Sequence, residues 1–317
     1  MHIPIIDIAS FFSPDQADRL RVARQWDKAF STIGFALIAG HGISQAAQDE
    51  LYRLSRTFFA RPAEEKTALD GGPGLGYEAF QAAKLGQTKG GTAAADLVEA
   101  MMIQGPEWDR RGEPPPEAPR NLWPREPKAF RQAVGAYVEE TFALAQTLMR
   151  ISALALELEE GFFGPYYDRM MHNLRIAFYP EQVEPPLPGQ LRNGPHTDFT
   201  GFTILRQDSA PGGLQVQSPA GDWIDVPPVP GTLVVNSGDL LQRWTNDRWR
   251  SNLHRVTNPD PNLAGQAERL SIVLFTGPNA DAVVECLPTC CGADNPARYR
   301  PVVAYDYLMQ KIRETFA

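Results

Sequence analysis

The chain has 317 residues, 43% of them hydrophobic and 21% charged, with a formal net charge of −8. That length suits one elaborated domain, and an acidic chain without a lysine- or arginine-rich block lacks the basic face that general nucleic-acid binding requires. No apolar run approaches the ~20 residues that span a bilayer and no basic-then-apolar leader opens the chain, so the expectation is a cytoplasmic protein acting on a small molecule, monomeric or weakly self-associating, with neither membrane nor nucleic acid as partner.

The N-terminal third reads as mixed helix and strand. Ser13-Pro14-Asp15-Gln16 predicts a helix start, with Ser13 as cap, Pro14 at the first helical position and Gln16 closing a capping box. Leu20, Ala23, Trp26 and Phe30 come next at helical spacing and are expected in the core. Gly34 to Ile38 reads as a short buried strand, and a second helix is expected from Ser44 to about Phe59. Residues 71–94 break the pattern. Gly71, Gly72, Gly74, Gly76, Gly86, Gly90 and Gly91 fall there with little apolar periodicity, around Tyr77 and Phe80. A solvated linker and a mobile lid over a site both fit such a stretch. No phosphate-binding pattern accompanies the glycines.

Pro114-Pro115-Pro116 marks a loop. A long scaffold helix is expected from about Glu126-Pro127 to Glu160, carried by Phe130, Val134, Tyr137, Val138, Phe142, Ala145, Leu148, Ala155 and Leu158. From Asn173 the character turns to β. Short runs at 173–179, 199–206, 213–217, 222–226, 232–236, 253–257 and 269–275 are separated by turn residues, which predicts a sandwich or barrel, most naturally a jelly roll. Helical spacing returns at Tyr307, Leu308, Ile312 and Phe316. The division expected is an N-terminal region over 1–120 and a long helix plus β-rich catalytic core over 121–317, forming one globular unit of α+β class. Cys286, Cys290 and Cys291 are odd in number and clustered, unlike a disulfide framework, and fit inert thiols in a reducing compartment.

Chemistry concentrates in the β-rich half. His196-Thr197-Asp198, with His254 further on, has the ligand order of the two-histidine, one-carboxylate triad that holds iron(II) by one face and leaves positions open. Residues two apart on a strand project to one face, so His196 and Asp198 can converge on one ion if the stretch is extended. Arg269-Leu270-Ser271 uses the same spacing in a strand candidate. Guanidinium binds carboxylate by two parallel hydrogen bonds, and the neighbouring hydroxyl can donate to the same group. His2, His41 and His172 have no carboxylate two residues on. The three ligands alone leave zinc open as well as iron, but a zinc hydrolase gives the arginine no task. Open metal positions beside an anion clamp suggest an oxygenase that binds a keto acid, oxygen and a second substrate.

These segments resemble the isopenicillin N synthase-like branch of iron(II)/2-oxoglutarate-dependent oxygenases. The likeness covers nearly the whole chain. It runs through Ile3-Pro4-Ile5-Ile6-Asp7, Gly40-His41-Gly42-Ile43, the stretch from Phe58 to Lys66, and Asn121-Leu122-Trp123-Pro124. The most specific part runs from Asn236-Ser237-Gly238-Asp239 through Trp244 to Leu253-His254-Arg255-Val256. The resemblance implies a double-stranded β-helix, iron ligated by His196, Asp198 and His254, and 2-oxoglutarate whose far carboxylate meets Arg269 and Ser271. Tyr179 matches a tyrosine that some members place near that carboxylate. Ala177 stands where some plant members carry asparagine.

The activity so implied is that of an iron(II)- and 2-oxoglutarate-dependent dioxygenase, which hydroxylates, desaturates or cyclises a small metabolite and releases succinate and carbon dioxide. Two other readings stay open at this point. One is an oxidase that uses the triad without 2-oxoglutarate, and the other is a jelly-roll binding protein without turnover. Candidates for the substrate pocket are Arg175, Phe199, Phe202 and Trp244, with Tyr77 and Phe80 from the glycine-rich stretch and Leu214 and Phe275 from the strands.

Overall fold

Side-chain alternation lays out the main sheet in the computed structural model, which describes residues 2–82, 94–105, 121–182, 184–263 and 267–316. Eight strands form it: β1 (Ile5–Asp7), β2 (Phe35–Ala39), β3 (Gly76–Glu78), β4 (Glu99–Gln104), β5 (Met170–Tyr179), β7 (Phe202–Gln207), β10 (Leu233–Ser237) and β12 (Arg269–Asn279). Their order is β1-β2-β10-β7-β12-β5-β4-β3. Only β1 and β2 run parallel; the other pairs are antiparallel. A smaller sheet holds β6 (Asn193–His196), β11 (His254–Val256), β8 (Leu214–Gln217) and β9 (Trp223–Asp225) in that order. A two-stranded sheet pairs β13 (Val283–Val284) with β14 (Val302–Val303).

In β12, Leu270, Ile272 and Leu274 point one way, and Arg269, Ser271, Val273 and Phe275 the other. The first set joins Ile176, Ile204 and Val235 in a core capped by helices. These are α1 (Gln16–Thr32), α2 (Gln45–Phe59) and α4 (Phe130–Ala155). Trp26 of α1 donates its indole N–H to Ser152 of α4 at 3.0 Å, so the polar tip of a fully buried ring is satisfied. The second set faces the smaller sheet. There Phe35, Leu37, Leu205 and Val234 pack against Leu214, Val216 and Val226. The result is two sheets with a cleft between them, the jelly roll expected from the strand count. Helices α3 (Ala63–Thr67), α5 (Asp239–Trp244) and α6 (Ala304–Phe316) are the remaining α-helices among the described residues. No helix among the described residues is long and apolar enough to cross a membrane.

Three local expectations change. Helix α1 begins at Gln16 and Asp15 is its cap, accepting from Ala17 N at 2.8 Å, while Ser13 Oγ instead accepts from Asp15 N at 3.1 Å. A carboxylate is the stronger partner at the positive end of a helix, so the nearer Asp15 wins. The scaffold helix spans 130–155 rather than 126–160. Within residues 71–94, where the glycines predict a linker or lid, Gly76–Glu78 is the ordered strand β3 paired to β4. Residues 83–93 and the Pro114-Pro115-Pro116 loop lie outside the described residues.

Candidate metal and anion site

Strand pairing brings the two histidines together. His196, last in β6, stands opposite His254, first in β11, and their ring centroids are 4.2 Å apart. Asp198 does not share a strand with His196, contrary to the expectation from spacing. β6 ends at His196, and Asp198 lies in the connection to β7, whose first strand residue is Phe202 rather than 199. Gly238 makes this connection possible. A side chain there would clash with the backbone of Thr200 and Gly201, and the Gly238 N–H donates to Gly201 O at 2.8 Å. Asp198 Oδ1 then sits 3.9 Å from His196 Nε2 and 3.7 Å from His254 Nε2.

The far sides of all three groups are fixed. His196 Nδ1 lies 2.8 Å from Gly194 O, and His254 Nδ1 lies 3.1 Å from Asn252 O. A carbonyl only accepts, so each Nδ1 carries the proton and each Nε2 lone pair is left for the common point. Asp198 Oδ2 accepts from Asn236 Nδ2 at 2.6 Å and from the Thr203 hydroxyl, which frees Oδ1 toward the histidines. Thr203 and Asn236 stand side by side on β7 and β10. Sequence reasoning gave neither a task. The one available signal was the position of Asn236 at the head of the family-like run.

Electrostatics suit a cation. Burial, then the neighbouring His254, pushes His196 down to about 3 against the opposing pull of Asp198. Burial works to raise Asp198, but the two histidines and the hydrogen bonds from Thr203 and Asn236 outweigh it and hold the carboxyl below its ordinary range. At neutral pH His196 is therefore uncharged and Asp198 ionised, as metal ligands must be. Two imidazoles and a carboxylate approaching from one side, with a cleft on the other, fit a metal that keeps open positions. No other trio of this kind occurs among the described residues.

The same shifts set a pH dependence. Folded, metal-free protein binds fewer protons at His196 and Asp198 than the unfolded chain does, so their contribution to stability is present above the unfolded values and lost as pH falls. Thermal stability of metal-free protein is expected to decline as pH drops below about 6.5, where the unfolded histidine begins to protonate. His196→Gln should flatten the upper part of that decline. A melting temperature that rises on acidification through this window would contradict the assignment.

At the other end of the cleft, β12 supplies Arg269 and Ser271. Tyr179 of β5 stands opposite Arg269, and Ala177 opposite Ser271. All four line one cleft with the triad. Arg269 is 1% exposed and, among the described residues, has no carboxylate partner. Its Nη2 reaches Gln207 Oε1 at 3.4 Å, and Nη1 has no partner. A buried guanidinium without a counter-charge is costly, so this feature marks a place built for an anion. No sequence pattern points to the second arginine beside it. Arg192 is fully buried and donates to the carbonyls of Pro211 and Ala267. Burial, then repulsion from Arg269, lowers it to about 10, and both guanidiniums lie near the Tyr179 ring.

Of the substrate-pocket candidates, Arg175, Leu214 and Phe275 line the cleft. The other five do not. Phe202 shares β7 with Thr203, and because Thr203 faces the cleft, Phe202 faces the helices. Its ring lies 5.4 Å from Trp26 and 5.1 Å from Phe30. Trp244 of α5 packs on Phe163 and Tyr166, each at 5.2 Å. Tyr77 is buried toward Phe58 and donates its hydroxyl to Glu99, whereas its neighbour Glu78 turns toward Arg175. Phe199 is half-buried beside Asp198 but outside the lining, and Phe80 is 43% exposed.

Comparison with known proteins bears on this arrangement. Residues 170–278 match the 2OG-Fe(II) oxygenase superfamily model, and residues 3–126 match the N-terminal model described as non-haem dioxygenase in morphine synthesis. The chain is 33% identical over 327 residues to the 2-oxoglutarate-Fe(II) type oxidoreductase hxnY of Emericella nidulans, covering 99% of this chain and 90% of that one. It is 32% identical over 329 residues to the homoarginine-6-hydroxylase 2-ODD-233 of Oryza sativa subsp. japonica, covering 99% and 97%. The crystal structure of a full-length Neurospora crassa protein in complex with alpha-KG and thymine superposes with a TM-score of 0.87 at 31% identity, covering 99% of this chain and 97% of that one.

Proposed function

The chain belongs to the 2OG-Fe(II) oxygenase superfamily, and from that premise we propose that His196, Asp198 and His254 hold its iron while Arg269, Ser271 and Tyr179 receive the far carboxylate of 2-oxoglutarate. The protein is an iron(II)- and 2-oxoglutarate-dependent dioxygenase. When bound, iron(II) and 2-oxoglutarate supply the oxidation, in which oxygen is consumed, 2-oxoglutarate becomes succinate and carbon dioxide, and the substrate is hydroxylated.

The chain's own groups do the positioning. Asn236 and Thr203 hold Asp198 in the rotamer that offers Oδ1. Gly194 and Asn252 carbonyls hold the imidazoles. The observation that carries the anion assignment is the buried guanidinium of Arg269, in the same cleft as the triad and without a carboxylate partner among the described residues. Leu205, Leu214, Val256 and Val273 wall the space between them and exclude water from charges that act more strongly in a dry site. The cleft holds about 520 Å³ of atom-free space, part of it open to solvent.

The main substrate is, on this reading, a small polar metabolite. The solved neighbour carries thymine, and one relative is named for homoarginine; both are compact, nitrogen-bearing molecules. A metabolite panel scored by substrate-dependent succinate release, with products identified by mass, tests this. A panel in which no such compound raises succinate above the substrate-free rate would contradict it. Ser271→Ala should raise the KM for 2-oxoglutarate about tenfold or more, the value of one hydrogen bond to a charged group, and leave iron content unchanged. An unaltered KM would remove Ser271 from the site.

A further inference from the structure

We propose that Arg175 and Glu78 form a recognition pair that selects a substrate carrying a hydrogen-bond acceptor and an N–H donor on one edge, as a cyclic imide or a zwitterionic amino acid does. The inference rests on the reading that the cleft beside His196 is the oxidation site.

The sheet register puts both groups on the cleft face. Glu78 of β3 stands in a row with Ala100, Ala177 and Ser271. Arg175 lies in the next row, between Met102 and Val273. Ala177, Ser271, Val273 and Arg175 all line the cleft with His196, and Glu78 stands just outside that lining, reached by Arg175. The side chains of Arg175 and Glu78 are 11% and 26% exposed.

Their mutual contact is incomplete. Arg175 Nη2 reaches Glu78 Oε2 at 3.3 Å, and Arg175 Nε is buried with no partner among the described residues. A closed pair in the same fold looks different: Arg248 places two nitrogens on Asp27 at 3.0 and 3.1 Å. Arg175 keeps donors, and Glu78 keeps lone pairs, that a ligand can use. A monoanion would meet Arg175 but be repelled by Glu78, and a cation the reverse. A net-neutral edge that accepts from Arg175 and donates to Glu78 satisfies both. Beside Arg175, Val273 and Phe275 of β12 line the cleft, which suits a hydrocarbon part of the substrate.

Calorimetric titration of the iron(II)/2-oxoglutarate enzyme without oxygen tests the pair, with uracil, 1,3-dimethyluracil, leucine and benzoate as probes. Wild type should bind uracil or leucine about tenfold or more tightly than dimethyluracil and benzoate, one tenfold step being the scale of a single charge-assisted bond. Whichever of the two binds identifies the source of the donor–acceptor edge. Glu78→Gln should weaken that probe about tenfold and strengthen benzoate. Arg175→Met should weaken both. Opposite signs for two probes in Glu78→Gln are not something a merely structural contact produces. Equal binding of uracil, leucine, dimethyluracil and benzoate by wild type, or a shift of all probes in one direction in Glu78→Gln, would overturn the proposal. The visible absorption of the iron(II)–2-oxoglutarate chelate is recorded on the same samples. Its absence in wild type would strike the underlying reading and take the pair with it, whereas its presence in all three proteins without probe discrimination would strike the pair alone.

Discussion

Asp198→Ala is expected to reduce substrate-dependent succinate formation by at least about 10³-fold, the loss of several kcal/mol of metal-centred stabilisation, and to leave the purified protein without iron. Asp198 supplies the one negative charge of the ligand trio. It is also the acceptor for Asn236 and Thr203, so its removal leaves two buried donors facing an empty space. Asn236→Ala separates these effects. It keeps the carboxylate but frees its rotamer, and losses of supporting hydrogen bonds around metal ligands run about 10- to 100-fold in affinity. The expected order is therefore wild type, then Asn236→Ala, then Asp198→Ala, in both iron content and turnover. Metal analysis of protein prepared without oxygen, alongside succinate assays, reads both quantities. Full iron content in Asp198→Ala would remove it from the ligand set.

Arg269→Ala should cost about 3 kcal/mol of 2-oxoglutarate binding, within the range for truncating one partner of a buried charge pair, which is about two orders of magnitude in KM. Iron content should not change. Arg269→Lys keeps the charge but loses the two-pronged fork, so it should recover part of the affinity only. A second readout distinguishes an anion anchor from a structural arginine. Arg269 is buried with no counter-charge among the described residues, so removing it relieves an uncompensated charge. The melting temperature of ligand-free Arg269→Ala is expected to hold or rise, while the stabilisation that wild type gains from added 2-oxoglutarate is lost. A large fall in the ligand-free melting temperature with an unchanged KM would assign Arg269 to the scaffold instead.

The sequence carried the strand-rich half and the Arg269/Ser271 spacing because each rests on short-range rules, and the ligand trio through the type and order of its donors. Spacing of two on a strand and the type of each donor can be read without knowing any partner. Less legible was everything decided by which face of a strand meets which layer. Phe202 and Thr203 are adjacent, and nothing local says that the threonine faces the cleft and the phenylalanine the helices; a one-residue change of register would exchange them. Tyr77 and Glu78 present the same ambiguity on β3. Asn236, Thr203 and Arg192 act through residues 38, 5 and 75 positions away, and no pattern in one sequence encodes those meetings. Asp198 shows a subtler gap. Its convergence with His196 is legible in the spacing, but it comes from a turn held by Gly238 rather than from a shared strand. The jelly roll itself came from the family likeness together with the count of short strands. Zinc, left open by the three ligands alone, gives way to iron with the superfamily match.

The most direct test of the site as a whole is the visible absorption of the protein titrated anaerobically with iron(II) and 2-oxoglutarate. Wild type is expected to develop the chelate band with one iron and one 2-oxoglutarate per chain. Asp198→Ala should show none at any concentration, and Arg269→Ala should reach the same band only at about 100-fold higher 2-oxoglutarate. An undiminished band in Asp198→Ala, or its complete absence in iron-loaded wild type, would contradict the placement of the iron and 2-oxoglutarate sites.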